Sequence, residues 1–307
     1  MIRYVFFILL LCCAQPLLAQ NESGIHIVVL GVAQDGGYPH MGCTKKCCNM
    51  AWEHDSMRRN VVALALVDSV AKKWWLFEAT PDIKEQLHYF QTLTHGYYSF
   101  LPDGIFITHA HIGHYTGLMQ LGKEVMGTKN VPVYVLPRMK AFLETNGPWS
   151  QLVKLHNIDL HELQADKPVS LSDGITVSAF TVPHRDEYSE TAGFRISTPA
   201  KRYLFIPDID KWAKWDRNIV NEVQSVDVAL LDATFYDNTE LPGRNMSEVP
   251  HPLVTESISL FQKAGADAIS RVYFIHFNHT NPMLWDQQKQ KEVKSLGFHI
   301  ADQGQRL

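Results

Sequence analysis

The chain has 307 residues, 46% hydrophobic and 20% charged, with a formal charge of −4. That is enough apolar material for one sizeable core and too balanced a charge for the basic stripe that grips a phosphate backbone, so nucleic acid is not an expected partner. With no internal repeat, low-complexity linker or long charge run, a single domain is expected.

Residues 1–19 read as a cleaved secretory signal: Arg3 leads into Val5-Phe-Phe-Ile-Leu-Leu-Leu, and Leu17-Leu-Ala19 precedes Gln20. A lipoprotein would need a small residue directly before the modified cysteine, whereas Cys12 and Cys13 follow Leu11. The apolar stretch is short for a membrane span, so no stable span is expected after cleavage. Removing the segment takes one arginine and no acid, leaving −5 on a mature domain of residues 20–307, expected in the periplasm or secreted.

Apolar runs rich in β-branched residues predict strands over 26–31, 61–67, 74–77, 104–108, 131–136, 175–182, 203–206, 226–231 and 272–275. Helical spacing predicts helices over 83–93, 117–126, 138–145, 211–223, 253–263 and 282–296. The order, hairpins with helices interleaved, suits a sandwich of two mixed sheets with helices outside.

Chemistry concentrates after the fourth predicted strand, in Phe106-Ile-Thr-His109-Ala-His111-Ile-Gly113-His114-Tyr-Thr-Gly117. His109 and His111 point to one side of an extended chain, and His114 can return from a first helical turn, so the segment can hold one cation or share two. With 15 histidines in the chain a lone one would be unremarkable, but three together at a strand mouth point to a metalloenzyme. Three further strand ends carry possible ligands: His184 after Thr181-Val-Pro, Asp208 after Leu204-Phe-Ile-Pro, and His276 after Val272-Tyr-Phe-Ile. Each alone could be a turn or cap; the recurrence favours ligands gathered by folding.

Through these residues, in this order, the chain resembles the metallo-β-lactamase superfamily. Within it, Leu30-Gly-Val-Ala-Gln-Asp-Gly-Gly-Tyr-Pro39, Ala79-Thr-Pro-Asp-Ile83 and Ile275-His-Phe-Asn-His-Thr-Asn-Pro282 look most like the pyrroloquinoline quinone biosynthesis protein B branch. The resemblance implies an αββα sandwich with the site at one edge of the sheets. It implies His109, His111 and His184 on a first metal, His114 and His276 on a second, and Asp208 between them. One departure stands out. The superfamily usually places Asp before the third histidine, and here that position is Gly113. Asp35, in a glycine-flanked loop after the first strand, is the expected substitute carboxylate; the alternative is a turn-forming Asp before Gly36 and Gly37.

Cys43, Cys47 and Cys48 are the only cysteines outside the signal segment, an odd number that disulfides cannot consume. Thiolate ligation of a metal resolves the count; a disulfide from Cys43 to Cys47 or Cys48 with one free thiol is the alternative. Cyclic phosphodiesterases of phosphonate pathways resemble this arrangement, and the resemblance assigns His279 with Cys43, Cys47 and Cys48 to a structural zinc.

A bound Zn²⁺ lowers the pKa of its water from 15.7 to roughly 7 and polarises the group under attack, so hydrolysis of a small ester, lactone, amide or phosphodiester is expected, with Asp208 as orienter and base. Iron or manganese also suits His and carboxylate ligands, and iron with an open position could activate oxygen, as the quinone branch implies. Export speaks against that biosynthetic role. A non-enzymatic metal-binding module is a third reading, less suited to ligands converging on an open, loop-lined site. The turn-rich segment 232–251 is expected to shape the pocket for a small-molecule substrate, with Tyr236 and Arg244 binding it and His251 as proton donor or outer ligand, against the alternative of a solvated loop.

Overall fold

A computed structural model describes residues 24–307; the expected signal segment, residues 1–19, lies outside the described residues. Strands β1 (Ile25–Gly31), β2 (Ala63–Asp68), β3 (Lys73–Phe77), β4 (Gly104–Phe106), β5 (Val131–Val135) and β6 (Ile158–Glu162) lie side by side in one sheet. A second sheet holds β7 (Pro168–Ser172), β8 (Ile175–Val182), β9 (Thr191–Ser197), β10 (Arg202–Ile206), β11 (Val228–Asp232), β12 (Val272–Ile275) and β13 (His299–Ile300), again in chain order. Each sheet is antiparallel over β1 to β3 and β7 to β10, where short connections join the strands except between β1 and β2, which a long segment carrying α1 (Lys46–Glu53) separates. Each becomes parallel beyond, where longer crossovers return the chain.

The period of two decides the layers. In β1 to β3, Ile27, Val29, Leu64, Leu66, Trp75 and Phe77 face the second sheet. Their neighbours Val28, Leu30, Ala65, Val67, Trp74 and Leu76 face helices α2 (Ile83–Leu93), α4 (Pro137–Thr145) and α5 (Trp149–Lys154). Both faces are therefore apolar, which is why these strands read as unbroken hydrophobic runs. Between the sheets Phe77, Phe106 and Tyr134 stack at 4.8 and 4.5 Å, and Phe194 meets them edge-on. Each such ring contributes about 1.5–3 kcal/mol by leaving water. Val223 of α6 (Ile219–Gln224), Phe261 of α7 (Val254–Ala264) and Val293 of α9 (Gln287–Ser295) cover the second sheet.

Several predicted helices are shorter than their apolar spacing implied. The stretch 211–223 contains a 3-10 turn, Trp212–Lys214, and only then α6, because Asn218 Oδ1 accepts the Val220 and Asn221 N–H groups and restarts the helix there. Asp286 likewise starts α9 after a separate 3-10 turn, Pro282–Leu284. In place of the helix over 117–126 stands the 3-10 turn Thr116–Leu121. Helices α1 (Lys46–Glu53), α3 (Ile112–Tyr115), α5 and α8 (Ala266–Ile269) and strands β6, β7, β9 and β13 were not predicted; β6 and β7 are polar edge strands.

Two features frame the site. Strands β1, β3 and β4 run one way in the first sheet, as β8, β10, β11 and β12 do in the second, and the residues after their C-terminal ends meet at one rim, the place where ligands bind in open sheets. At the far end, Leu307 joins the sheets: it exchanges backbone hydrogen bonds with Ile27 and accepts one from the Tyr203 hydroxyl at 3.0 Å.

Candidate metal centre

The chain leaves β4 through Thr108, passes His109 and His111, and turns into α3, where the His114 N–H donates to the His111 carbonyl at 2.9 Å and fixes the third imidazole beside the first two. His109 Nε2 is 2.8 Å from His111 Nδ1 and 3.4 Å from Asp208 Oδ2; His184 Nε2 is 3.3 Å from the same oxygen. Across Asp208 stands a second group: His114 Nε2 lies 3.7 Å from Asp208 Oδ2 and 3.2 Å from Asp35 Oδ1, which is 3.7 Å from His276 Nε2. Two atoms each about 2.0–2.1 Å from one tetrahedral zinc are about 3.3 Å apart, so these spacings are those of ligands around a shared centre. The structure thus gathers two histidine-rich sets of potential ligands, His109, His111, His184 with Asp208, and Asp35, His114, His276 with Asp208, and beside them a third group, Asp208, Asp232 and His251.

Both sets fit a cation. Buried polar atoms are normally paired, yet His184 Nε2, His276 Nε2 and Asp208 Oδ1 are buried without a hydrogen bond. Burial opposes charge on Asp208, but His184 and His251 outweigh it and hold the carboxyl well below its ordinary range. Burial also opposes charge on His114, where Glu78 and Asp35 prevail and raise it. Burial and the neighbouring His114 hold His109 well below its ordinary value.

An outer ring, invisible to spacing arguments, sets which nitrogen faces inward. The Thr108 hydroxyl donates to Glu78 Oε1 at 2.5 Å, so its oxygen accepts from His109 Nδ1–H at 2.9 Å and leaves Nε2 for the centre. Thr234 repeats this: it donates to Asp232 Oδ1 at 2.7 Å and accepts from His276 Nδ1–H at 2.9 Å. Asp210 Oδ1 stands 3.3 Å from His184 Nδ1, and Glu187 Oε2 lies 3.1 Å from His111 Nε2. Glu78 and His276 both sit at positive φ, 75° and 67°, a conformation that non-glycine residues keep only where their surroundings impose it. The sequence signal for Glu78 and Asp232 was an acid at the end of an apolar strand, the pattern already used for Asp208.

Gly113 explains the missing carboxylate. A Cβ there would stand 2.5 Å from both Asp35 Cα and Asp35 Oδ1, so the Asp35 loop fills the space a side chain at 113 would need. The two positions do not exchange freely, because the clash includes the backbone of Asp35 as well as its side chain.

Comparison with known proteins places this arrangement. A family model described as the beta-lactamase superfamily domain matches residues 73–277. The chain belongs to that family. Coenzyme PQQ synthesis protein B of Methylorubrum extorquens strain PA1 is 26% identical, the match covering 91% of this chain and 98% of the relative; its Gluconobacter oxydans counterpart is 25% identical over 91% and 97%. Among solved structures, zinc-bound PqqB from Methylobacterium extorquens matches with TM-score 0.75 at 22% identity, covering 92% of this chain and 99% of that one. A diphosphatase of the PhnP family matches with TM-score 0.63 at 20% identity, over 92% and 96% of the two chains. At these identities the structures share the fold, the αββα sandwich expected from the sequence.

In this β-lactamase superfamily member the cysteines form a separate group beside the rim. Sulfurs of Cys43 and Cys48 and a ring nitrogen of His279 lie within 4.8 Å of one another. Cys47 Sγ is 3.9 Å from Cys43 Sγ, and all three cysteines are free, so no disulfide joins them. Burial, then His40 and Lys45, bring His279 down to about 4, keeping the imidazole neutral, the form that binds metals.

The 232–251 segment divides. His251 is buried in the site, with Nδ1 2.9 Å from Asp232 Oδ2 and 3.2 Å from Asp208 Oδ1. Burial works against its charge, but Asp232 and Asp208 push its pKa up to about 9. Tyr236, expected to bind substrate, is instead packed into the main core under Lys289, because the Glu240 carboxylate caps its N–H and turns the chain inward. Arg244 lies on the exposed face of the loop. Among the described residues no helix is long and apolar enough to cross a membrane.

Proposed function

We propose that this protein is an exported, zinc-dependent hydrolase of a small ester, lactone, amide or phosphodiester. The observation that carries the reading is the sharing of Asp208 between two inward-facing histidine sets, in each of which one tautomer is fixed, that of His109 by the Glu78–Thr108 pair and that of His276 by the Asp232–Thr234 pair. A divalent cation held there would supply a water ligand ionised near pH 7 and would polarise the substrate oxygen. The chain's own residues do the rest. His109, His111 and His184 would hold a first ion, Asp35, His114 and His276 a second. Asp208 would orient the attacking water and receive its proton, with His251 Nδ1 3.2 Å from its Oδ1. A protonated His251, braced by Asp232, can give a proton to a leaving group. Support for export comes from residues 1–19, whose short apolar run ends at Leu17-Leu-Ala19.

The test is native purification of the full chain, metal analysis, and turnover of ester, lactone, amide and phosphodiester substrates before and after chelation. Zinc with hydrolysis abolished by chelator and by His111→Ala is the expected result; full turnover and metal content in His111→Ala would overturn it. A second reading, an iron-dependent oxygenase or accessory role in quinone-cofactor synthesis, is favoured by full-length similarity to coenzyme PQQ synthesis proteins B. Iron with oxygen consumption and no hydrolysis would establish it instead.

A further inference from the structure

Two short segments serve both ligand groups. The segment after β1 carries Asp35 and, eight positions on, Cys43, with Cys48 in α1; the segment after β12 carries His276 and, three positions on, His279. The two are laced together. Ala33 bridges Phe277, the Gln34 N–H donates to the Phe277 carbonyl and the Phe277 N–H to the Val32 carbonyl, both at 2.8 Å, and the His40 ring lies 4.3 Å from that of His279. Neither segment supplies a ligand to the His109, His111 and His184 set.

We infer that an ion held by Cys43, Cys48 and His279 governs the affinity of the Asp35, His114 and His276 position and leaves the His109, His111 and His184 position unaffected. The inference rests on reading both groups as metal sites. Its physical reason is the displaced carboxylate. A ligand at 113 would come with the helix that carries His114, already ordered; Asp35 comes from a loop containing Gly36, Gly37 and Gly42, with Gly37 and Gly42 at φ 68° and 71°. Ordering such a loop around an ion costs backbone entropy unless something else holds it. A metal on Cys43 and Cys48 anchors the loop's far end to His279, and hence to the segment that keeps His276 at its left-handed backbone angle. The thiolate group therefore organises the second position in advance.

The experiment loads the full chain with cobalt, so that the sulfur-to-cobalt charge-transfer band reports the cysteine group and the visible bands report the His and carboxylate positions. Cys48→Ser is expected to lose the charge-transfer band and to weaken one of the two remaining equivalents about 10–100-fold, the usual effect of disturbing a ligand's support. Loss of the thiolate-bound equivalent alone, in a variant with native near-UV circular dichroism, would overturn the inference. If Cys48→Ser does not fold, an organomercurial titrated into the wild-type holoprotein takes the thiolates without changing the sequence: coupled loss of two equivalents supports the inference, and independent loss refutes it. These readouts are metal equivalents, so linkage found in a protein without hydrolytic turnover would sink only the proposed activity, and turnover with independent equivalents only the linkage.

Discussion

Gly113→Ala removes no ligand and adds one methyl group, yet it should empty half of the centre. The new Cβ would lie 2.5 Å from Asp35 Cα, with Asp35 Oδ1 equally close. Non-bonded carbons rest about 3.5–4.0 Å apart, so the Asp35 loop must retreat by about 1 Å. Asp35 Oδ1 now stands 3.2 Å from His114 Nε2. A retreat of that size carries the oxygen to about 4 Å, beyond hydrogen-bond range and well past the spacing of about 3.3 Å between two ligands of one tetrahedral zinc. The crowding should cost about 1–3 kcal/mol of folding stability. The lost ligand should weaken the second equivalent about 10–100-fold, or about 1.4–2.8 kcal/mol. Zinc titration against a competing chelator reads both equivalents, with the first expected at wild-type affinity. Two equivalents at wild-type affinity would refute the reasoning, since Asp35 would then either move freely or not be a ligand. Because the clash includes the Asp35 backbone, Asp35→Gly combined with Gly113→Asp should restore the second equivalent only in part.

Further outcomes are expected. His251, raised to about 9, stabilises the metal-free fold fully below its unfolded pKa of about 6.5 and loses that contribution as pH rises through the folded value, so the apo melting temperature should fall between these limits and His251→Ala should flatten the dependence. The same variant should keep its metal while losing turnover; if turnover persists, His251 is not the proton donor. Glu78→Gln disturbs the acceptor of the buried Thr108 hydroxyl and should destabilise the protein by about 1–3 kcal/mol in urea titration, with His109 affinity for metal reduced; an unchanged midpoint would show that Thr108 orients His109 unaided. Arg244→Ala, on an exposed loop, should change stability by under about 0.5 kcal/mol and raise KM for an anionic substrate at constant kcat; an unaltered KM would remove Arg244 from recognition.

The inner residues of the site were readable because each closes a strong apolar strand: a histidine or aspartate after such a run has few structural reasons to be there, and His184, Asp208 and His276 meet at the rim. The fold was readable from the same runs, since strands buried on both faces leave an unbroken signal. What escaped was set by other parts of the chain. The relay of Thr108 to Glu78 spans two strands, and no local pattern reveals that a threonine accepts from one residue while donating to another. Strands β6 and β7 escaped because edge position, not composition, makes them strands. Tyr236 was misplaced because a polar, turn-rich loop resembled a pocket wall, whereas Glu240 folds it back on the core.

The union of the two sheets at Leu307 has a mechanical consequence. At that end, hydrogen bonds from one residue to Ile27 and Tyr203 hold the layers together. At the other, ligands arrive from both layers, His109, His111 and His114 from one and His184, Asp208 and His276 from the other. A cation there would add a rivet to the backbone bonds that already tie Gln34 to Phe277 and Ala192 to Thr108 at the rim, opposite the union at Leu307. Chelation should loosen the molecule from the rim inward, so amide exchange would rise first in the strand ends that carry His184 and Asp208, while Ile27 and Tyr203 at that union stay protected until global unfolding.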